Sequence, residues 1–375
     1  MRHSLLKKLA SLVEEKGGCG AVVSSEANVF YFTGFRGPGH LVYDRDSGSY
    51  TLLVPALEYL RAKHALEEEG LLGRIELAAF APYGLPGGLE LDSQGDYKLV
   101  YGRLGDIIVS MLPKGCRLLV DTDSLALYKR LASTYNVEEA GDVIADMRAV
   151  KEPWEIERME EAAAIAEAAL NTALYSIDAG VSEADIAAMI EYEMRRRGAS
   201  DHSFPPIVAF GENTVYPHAE PSPRRVMGYE PQPVLIDLGA VYKGYCSDMT
   251  RTAMEGAREE FRRVAEAVHE ATYTAIDAIE PGVTSHEVYE AARRVLASHG
   301  LDKYFIHSLG HGVGIEIHEK PRVSYKSETK LREGMVVTVE PGVYIPGKFG
   351  VRIEEMVLVT QRGARLLTRY PSVLW

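Results

Sequence analysis

Val234-Leu235-Ile236-Asp237-Leu238-Gly239-Ala240-Val241-Tyr242-Lys243-Gly244-Tyr245-Cys246-Ser247-Asp248-Met249-Thr250-Arg251-Thr252 reads as two β-strands folded back on a turn, each carrying one acid. A second stretch has the same form. Val336-Val337-Thr338-Val339-Glu340-Pro341-Gly342 leads to a turn at Pro346-Gly347, and Val351-Arg352-Ile353-Glu354 returns. Each acidic pair is symmetric about its turn. The midpoint of 237 and 248 falls between Tyr242 and Lys243, and that of 340 and 354 is Gly347. Folded as hairpins, the two stretches place Asp237 opposite Asp248 and Glu340 opposite Glu354. Opposed like charges repel, and an ionised carboxylate in a run such as Val234–Leu238 needs a partner. Any one of these acids alone reads as an edge-strand charge facing water; the set of four does not. Four carboxylates and one imidazole, His311 in Gly310-His311-Gly312, suit two divalent metal ions whose combined charge cancels the four negatives.

Strand alternation puts Thr250 on the face of Asp248, with Cys246 and Thr252, where its hydroxyl would support a ligand. Val336, Thr338 and Glu340 share a face in the same way. An oxygen-rich shell favours manganese, magnesium or a similar hard ion over a structural zinc, and one imidazole moves the choice toward manganese, cobalt or iron. Two such ions, roughly 3.5–4 Å apart, clamp both sides of a hydrolytic transition state. The run from His307 to Glu319 is dense in histidine and glycine, and its glycines allow the backbone to approach the metals closely. It lacks the Gly-Lys-Ser/Thr ending of a phosphate loop, and His318-Glu319 lacks the second histidine of a zincin motif.

The acidic stretches repeat within a larger unit. Gly180-Val181-Ser182 and Gly282-Val283-Thr284 each open a helix with a capping box, Ser182 with Asp185 and Thr284 with Glu287. These openings are 102 residues apart, and the acids recur at offsets of 103 and 106. Each half thus reads helix, helix, acidic hairpin, and two halves about a pseudo-twofold axis would bring four acids together. Before this duplication the chain alternates short β-like runs (Ala21–Ser24, Val29–Phe32, Tyr50–Val54, Arg117–Asp121) with helical stretches (Leu5–Lys16, Leu57–Glu69), an α/β pattern. Pro153 starts a long helix with apolar residues at Ile156, Met159, Ala163, Ala166 and Leu170. The expected domains are therefore 1–150 and 151–375, in a chain of 375 residues that is long for one core.

Composition narrows the function. A net charge of −13 argues against a nucleic-acid partner. The triple Arg195-Arg196-Arg197 closes a helix, where cations suit the dipole. No apolar run approaches the roughly 20 residues of a membrane span, and the N-terminus turns charged too soon for a signal peptide. Cys19, Cys116 and Cys246 are too few and too scattered for a disulfide framework, which fits a reducing cytoplasm. Asp121-Thr122-Asp123-Ser124 has the look of a phosphatase nucleophile string but lacks the downstream context and reads as a turn.

Taken together, Ala27 to Phe35, Met147 to Lys151, Pro217-His218, Ile236 to Gly239, Ser247 to Thr252, His307 to Glu319, Val339 to Gly342 and Val351 to Glu354 resemble the pita-bread metallopeptidases. The likeness runs the whole length and points to the Xaa-Pro branch, the Xaa-Pro dipeptidases (prolidases) and aminopeptidases P. It implies a mixed α/β (α+β) fold, with a creatinase-like N-terminal domain and a pseudo-twofold pita-bread catalytic domain. It also implies Asp237, Asp248, His311, Glu340 and Glu354 as ligands of two divalent ions, manganese or cobalt, with Asp248 and Glu354 bridging. Glu340 would also take a proton from the attacking water, His318 would stabilise the oxyanion, and His218 would contact the leaving side of the bond. His307 is typical of this branch, Arg352 would orient Glu354, and Arg322 matches an arginine that binds the proline carboxylate in dipeptidases. Phe204 and Ile317 match pocket-lining positions. The implied partners are small peptides with proline second, in a cytoplasmic protein whose N-terminal domain caps the site or supports a homodimer.

A bond preceding proline is a tertiary amide without an N–H, so a peptidase that grips that N–H loses a handle, and metals with histidines supply another means of attack. Arg322 and the modest length lean toward a dipeptidase over an aminopeptidase acting on longer peptides. A metal-free hydrolase on this fold, as in creatinase, and a non-enzymatic binding protein are the remaining readings. Relatives of both kinds lose ligands, and none is lost here.

Overall fold

A computed structural model describes residues 2–81, 98–223 and 230–374. The chain divides into two compact units, Met1–Ala145 and Asp146–Trp375.

The first unit is a seven-stranded sheet with helices. Its strands are β1 (Gly20–Val23), β2 (His40–Asp44), β3 (Ser49–Pro55), β4 (Ile75–Ala81), β5 (Leu99–Tyr101), β6 (Arg117–Asp121) and β7 (Asn136–Glu139), in the order β5-β4-β3-β2-β1-β6-β7. β2 is antiparallel to both its neighbours, and the other pairs are parallel. The helices are α1 (His3–Glu15), α2 (Glu26–Thr33), α3 (Tyr59–Glu68), α4 (Leu104–Met111) and α5 (Leu125–Ala132).

Two expectations fail here. Val29–Phe32 is not a strand but the body of α2, which stops at Gly34 with φ 77°. Asn28 through Thr33 are all buried, so no polar face was present to reveal the helical period. Cys19 and Cys116 form a disulfide, with Cα atoms 6.0 Å apart, and Cys246 is the free cysteine. Separation along the chain misled: parallel pairing of β1 with β6 brings the two cysteines together, and Cys19 N–H donates to Arg117 O. The Asp121 string is a strand end and turn. Ser124 caps α5 by accepting from Leu127 N–H, and Asp121 Oδ2 accepts from Ser25 and Asn28.

The second unit follows α6 (Gly141–Ala149), within which the division between units falls. Its first half comprises α7 (Pro153–Tyr175), α8 (Glu183–Arg196), β8 (Asp201–His202), β9 (Ile207–Phe210), β10 (Val234–Leu238), β11 (Ala240–Tyr242), β12 (Tyr245–Cys246) and β13 (Met249–Ala253). Its second half comprises α9 (Glu259–Asp277), α10 (Ser285–Ser298), β14 (Gly310–Gly312), β15 (Glu319–Val323), β16 (Val336–Val339), β17 (Gly342–Ile345), β18 (Phe349–Arg352), β19 (Glu355–Thr360) and β20 (Gly363–Leu366). Both capping boxes form, Ser182 with Asp185 and Thr284 with Glu287. Each helix pair covers its own half: Ala166, Leu170, Ile186 and Ile190 pack with Ile236 and Leu238, while Val268, Ala275, Val288 and Leu296 pack with Val337 and Val357. Buried aliphatic faces of this kind contribute about 1.5–3 kcal/mol per side chain. Arg196 and Arg197, at the end of α8, pair back onto Glu193.

Register decides where the acids lie. In the second half Val339 faces Glu355 and Gly342 faces Arg352, so Glu340 and Glu354 fall directly opposite each other between two ladders, centred on Gly347 as the spacing predicts. In the first half Asp237 faces Thr250, not Asp248. The turn is Lys243-Gly244, with φ of 47° and 82°, and Tyr242 faces Tyr245. Positive φ at both central residues is the geometry of a two-residue hairpin turn, and Gly244 belongs inside it, so the turn is centred one residue later than the midpoint of the two acids. Asp248 consequently lies opposite Gly239, diagonal to Asp237.

Candidate metal centre

The return strands of the two hairpins lie beside one another. Thr250 Oγ1 donates to Glu354 Oε2 at 2.8 Å, Glu354 N–H donates to Thr250 O, and Thr252 Oγ1 donates to Arg352 O. Residue numbers rise on one strand as they fall on the other, an antiparallel crossing of the kind a pseudo-twofold axis produces. The crossing gathers the four carboxylates onto one cavity of about 1060 Å³, lined by Asp237, Asp248, Glu340 and Glu354. His311, on β14, joins them. Its Nε2 lies 3.5 Å from Asp248 Oδ2 and 3.6 Å from Glu340 Oε1. These spacings are too long for hydrogen bonds and suit atoms disposed about a common centre. Ligand atoms of Asp248, His311 and Glu354 all fall within 4.8 Å of one another.

Local contacts orient each group. His311 Nδ1 sits 3.1 Å from Gly312 O, which can only accept, so Nδ1 carries the proton and Nε2 faces the acids with a lone pair. The backbone N–H of His311 donates to Thr338 Oγ1. Close packing behind the imidazole needs glycine, since a Cβ on Gly310 would fall 2.0 Å from Thr338 O. Arg352 fans across the floor: Nη2 donates to Asp237 Oδ2 at 2.6 Å, Nε to Thr250 Oγ1, and Nη1 to Tyr344 OH and Pro217 O. Arg352 therefore contacts Asp237 directly and reaches Glu354 only through Thr250.

The electrostatics are those of excess negative charge out of water. Burial pushes the Asp248 and Glu354 carboxyls well above the usual range, and their acidic neighbours push them further. Burial raises Asp237 as well, against the opposing pull of Arg352. Glu340 is raised to about 8, again by burial first. Burial works against the charge of Arg352, but Tyr344, Asp237, Glu340 and Glu354 outweigh it and raise its pKa. His311 is held down at about 4 by burial and then by His318, so it is a neutral donor. One guanidinium against four carboxylates leaves most of the charge uncompensated, and Asp237 Oδ1 is buried with no hydrogen-bond partner among the described residues. Such a donor set, anionic oxygens with one imidazole lone pair, fits hard or borderline divalent cations.

The same cavity is lined by His218, His307, His318, Phe204, Ile317, Arg322 and Arg352. Thr250 lies behind it, fully buried. Every residue singled out from the sequence is thus at the cavity or one contact away. Three supporting side chains went unrecognised. Tyr344 joins Arg352 to His307, with its OH 3.1 Å from His307 Nε2. Thr338, on the Glu340 face of β16, accepts from the backbone N–H of His311. Glu319 is buried and held by Arg148 and Lys151. Alternation from Glu340 through Gly342 pointed to Tyr344, but Pro341 interrupts the pattern; nothing in the sequence signalled the Glu319 contacts.

Residues 157–361, more than half the chain, match Metallopeptidase family M24, and residues 6–150 match the creatinase/prolidase N-terminal domain. The protein belongs to this metallopeptidase family, whose membership implies a divalent metal centre. Among its relatives, the Xaa-Pro dipeptidase of Pyrococcus furiosus is 37% identical over 367 residues, covering 97% of both chains. The crystal structure of the prolidase from Pyrococcus horikoshii OT3 is 33% identical and superposes with a TM-score of 0.84, over 99% of each chain. The X-Pro aminopeptidase from Thermotoga maritima MSB8 is 29% identical, with a TM-score of 0.82, over 96% of this chain and 99% of that one. Among the described residues no helix is long and apolar enough to cross a membrane.

Proposed function

We propose that the protein is a two-metal exopeptidase that hydrolyses the bond between an N-terminal residue and proline, with Xaa-Pro dipeptides as its favoured substrates. The observation that carries this reading is the convergence of Asp237, Asp248, Glu340, Glu354 and His311 on one cavity with a single guanidinium among them. The dipeptidase and prolidase relatives support it further. In this reading those five residues would hold the two ions, manganese or cobalt. When bound, the two ions polarise the scissile carbonyl and activate the attacking water.

The chain's own residues do the rest. Glu340 is the most open of the acids, with 18% of its side chain exposed, against 6% for Asp248 and 11% for Asp237. It takes the water's proton. Partial desolvation lowers the His318 pKa, and its ring stands edge-on to His311 at 4.4 Å, close to where charge develops on the carbonyl oxygen. His218 contacts the departing proline nitrogen. His307 donates from Nδ1 to Ser308 O at 2.7 Å and accepts at Nε2 from Tyr344 OH, so it shapes the cavity wall with both nitrogens engaged. Phe204 and Ile317 pack against the proline ring, and Arg322 receives its carboxylate. Residual negative charge near Asp237 suits a free α-amino group, which restricts cleavage to the first bond. A homodimeric, cytoplasmic protein completes the proposal; sedimentation tests the first of these.

Purified protein is assayed on an Xaa-Pro dipeptide and an Xaa-Pro-Xaa tripeptide with manganese or cobalt. Cleavage of the dipeptide supports the dipeptidase reading; cleavage of the tripeptide alone replaces it with an aminopeptidase, to which the Thermotoga maritima likeness also points. Full activity after exhaustive chelation rejects the metal mechanism.

A further inference from the structure

A second cavity, of about 570 Å³, adjoins the first and shares Arg322 with it. Its walls include Lys320, Arg322, Arg332, Ser327, Thr329 and Asp146. Three cations face one acid here, in a chain whose net charge is −13. Lys320 Nζ stands 3.0 Å from Asp146 Oδ1, and Arg332 Nη2 donates to the backbone oxygen of Asp146, so one residue orients both cations while its carboxylate neutralises only one charge. Arg322 is tethered by Nε to Ser308 Oγ at 3.0 Å, and its two terminal nitrogens have no partner among the described residues. Ser327 and Thr329 add hydroxyl groups on the same wall.

We propose that this cavity is a subsite for the terminal carboxylate of peptides extending one residue beyond proline. The inference rests on the peptidase reading above and adds a substrate class to it. Lys320 and Arg322 are two residues apart on β15, an edge strand of its sheet, and both line the second cavity. One more residue of extended peptide moves a carboxylate by roughly 3.5 Å, which carries it off Arg322 and within reach of a lysine side chain. Arg322 thus stands at the divide. It takes the carboxylate of a dipeptide's proline, whereas in a tripeptide the chain passes it and the carboxylate lands on Lys320 and Arg332. Hydrolysis is unchanged: one water is consumed, the Xaa–Pro bond breaks, and a Pro-Xaa dipeptide leaves.

The test uses full-length, manganese-loaded protein with Ala-Pro, Ala-Pro-Ala and the C-terminal amide of Ala-Pro-Ala. Expected is cleavage of the dipeptide and of the free-acid tripeptide, with kcat/KM for the acid above that for the amide. Lys320→Gln and Arg332→Gln each reduce that acid-over-amide ratio by about twofold to fivefold, as fits partly exposed charge pairs. Asp146→Asn raises it. The ratio is internal to each variant, so a partly unfolded preparation does not distort it. A ratio near one in the wild type, a ratio untouched by all three substitutions, or cleavage of Ala-Pro with both tripeptides intact overturns the subsite. Absence of cleavage on every substrate overturns the peptidase reading and the subsite with it.

Discussion

The two acidic hairpins share a plan and differ in how they carry it out. The second places Glu340 and Glu354 in direct register about a three-residue loop centred on Gly347, whose φ is 72°. The first closes on a two-residue turn, and its acids sit diagonally, with Thr250 rather than Asp248 across from Asp237. They also differ in charge. Arg352, two residues before Glu354, has its counterpart in Cys246, two residues before Asp248. The first hairpin therefore carries two acids without a cation of its own at that position, and Asp237 takes its charge partner from the second. What the duplicated halves share is where the carboxylates end up, not strand register. The cluster is made between hairpins, by Thr250 with Glu354 and Arg352 with Asp237, more than within either.

Removing metal tests this most severely. Chelation is expected to abolish peptide hydrolysis and to lower the melting temperature, because a ligand at 1,000 times its Kd contributes about 4 kcal/mol. The gap between loaded and metal-free melting temperatures is expected to widen as pH rises from about 5 to 8. Glu340, Asp248 and Glu354 have folded-state pKa values raised above their unfolded ones. Their contribution to metal-free stability is thus complete below the unfolded values and lost as pH climbs through the folded ones, about 8 for Glu340. A gap that narrows with rising pH contradicts this assignment of the buried charge.

Arg352→Ala is next in size. It strips the borrowed charge from Asp237 and leaves a buried acid unpaired, at an expected cost of about 3–5 kcal/mol measured by denaturant unfolding of metal-free protein. Arg352→Lys should recover little, since three nitrogens of a planar fork are in use. Thr250→Val and Thr338→Val then compare the halves directly. Each leaves a buried partner unsatisfied, at about 1–3 kcal/mol. Only the first touches both Glu354 and Arg352, so it should weaken manganese binding more, as read by titration calorimetry; equal losses would mean the halves are energetically interchangeable. The smallest effects belong to the turns. Gly244→Ala and Gly347→Ala each place a methyl at positive φ and should cost about 1 kcal/mol in thermal unfolding, with activity retained once metal is saturating.

Much of the centre was legible because its chemistry is declared by residue type in an unsuitable setting. An acid in Val-Leu-Ile-Asp-Leu demands explanation, and four of them at a repeated offset demand a common one. Alternation puts Thr250 beside Asp248, but its hydroxyl is taken by Glu354 and Arg352 of the other hairpin, which alternation within one strand does not reveal. Val29–Phe32 was misread for the converse reason: a helix buried on every side has no polar face to display its period. The Cys19–Cys116 bond and the clasp of Glu319 by Arg148 and Lys151 escaped because their members lie 97 residues apart in the first case and 168 or more in the second.

The linear chain settled the fold class, the internal duplication and the identity of the groups around the cavity, since periodicity, capping and burial of like charge are local properties. Tertiary structure decided the pairing of Asp237 with Thr250, the loan of Arg352 across the pseudo-twofold, the neutral tautomer of His311 and the joining of two cavities at Arg322. Those depend on strand register and on distances between remote segments, which follow from how whole surfaces pack and not from the order of residues along any one of them.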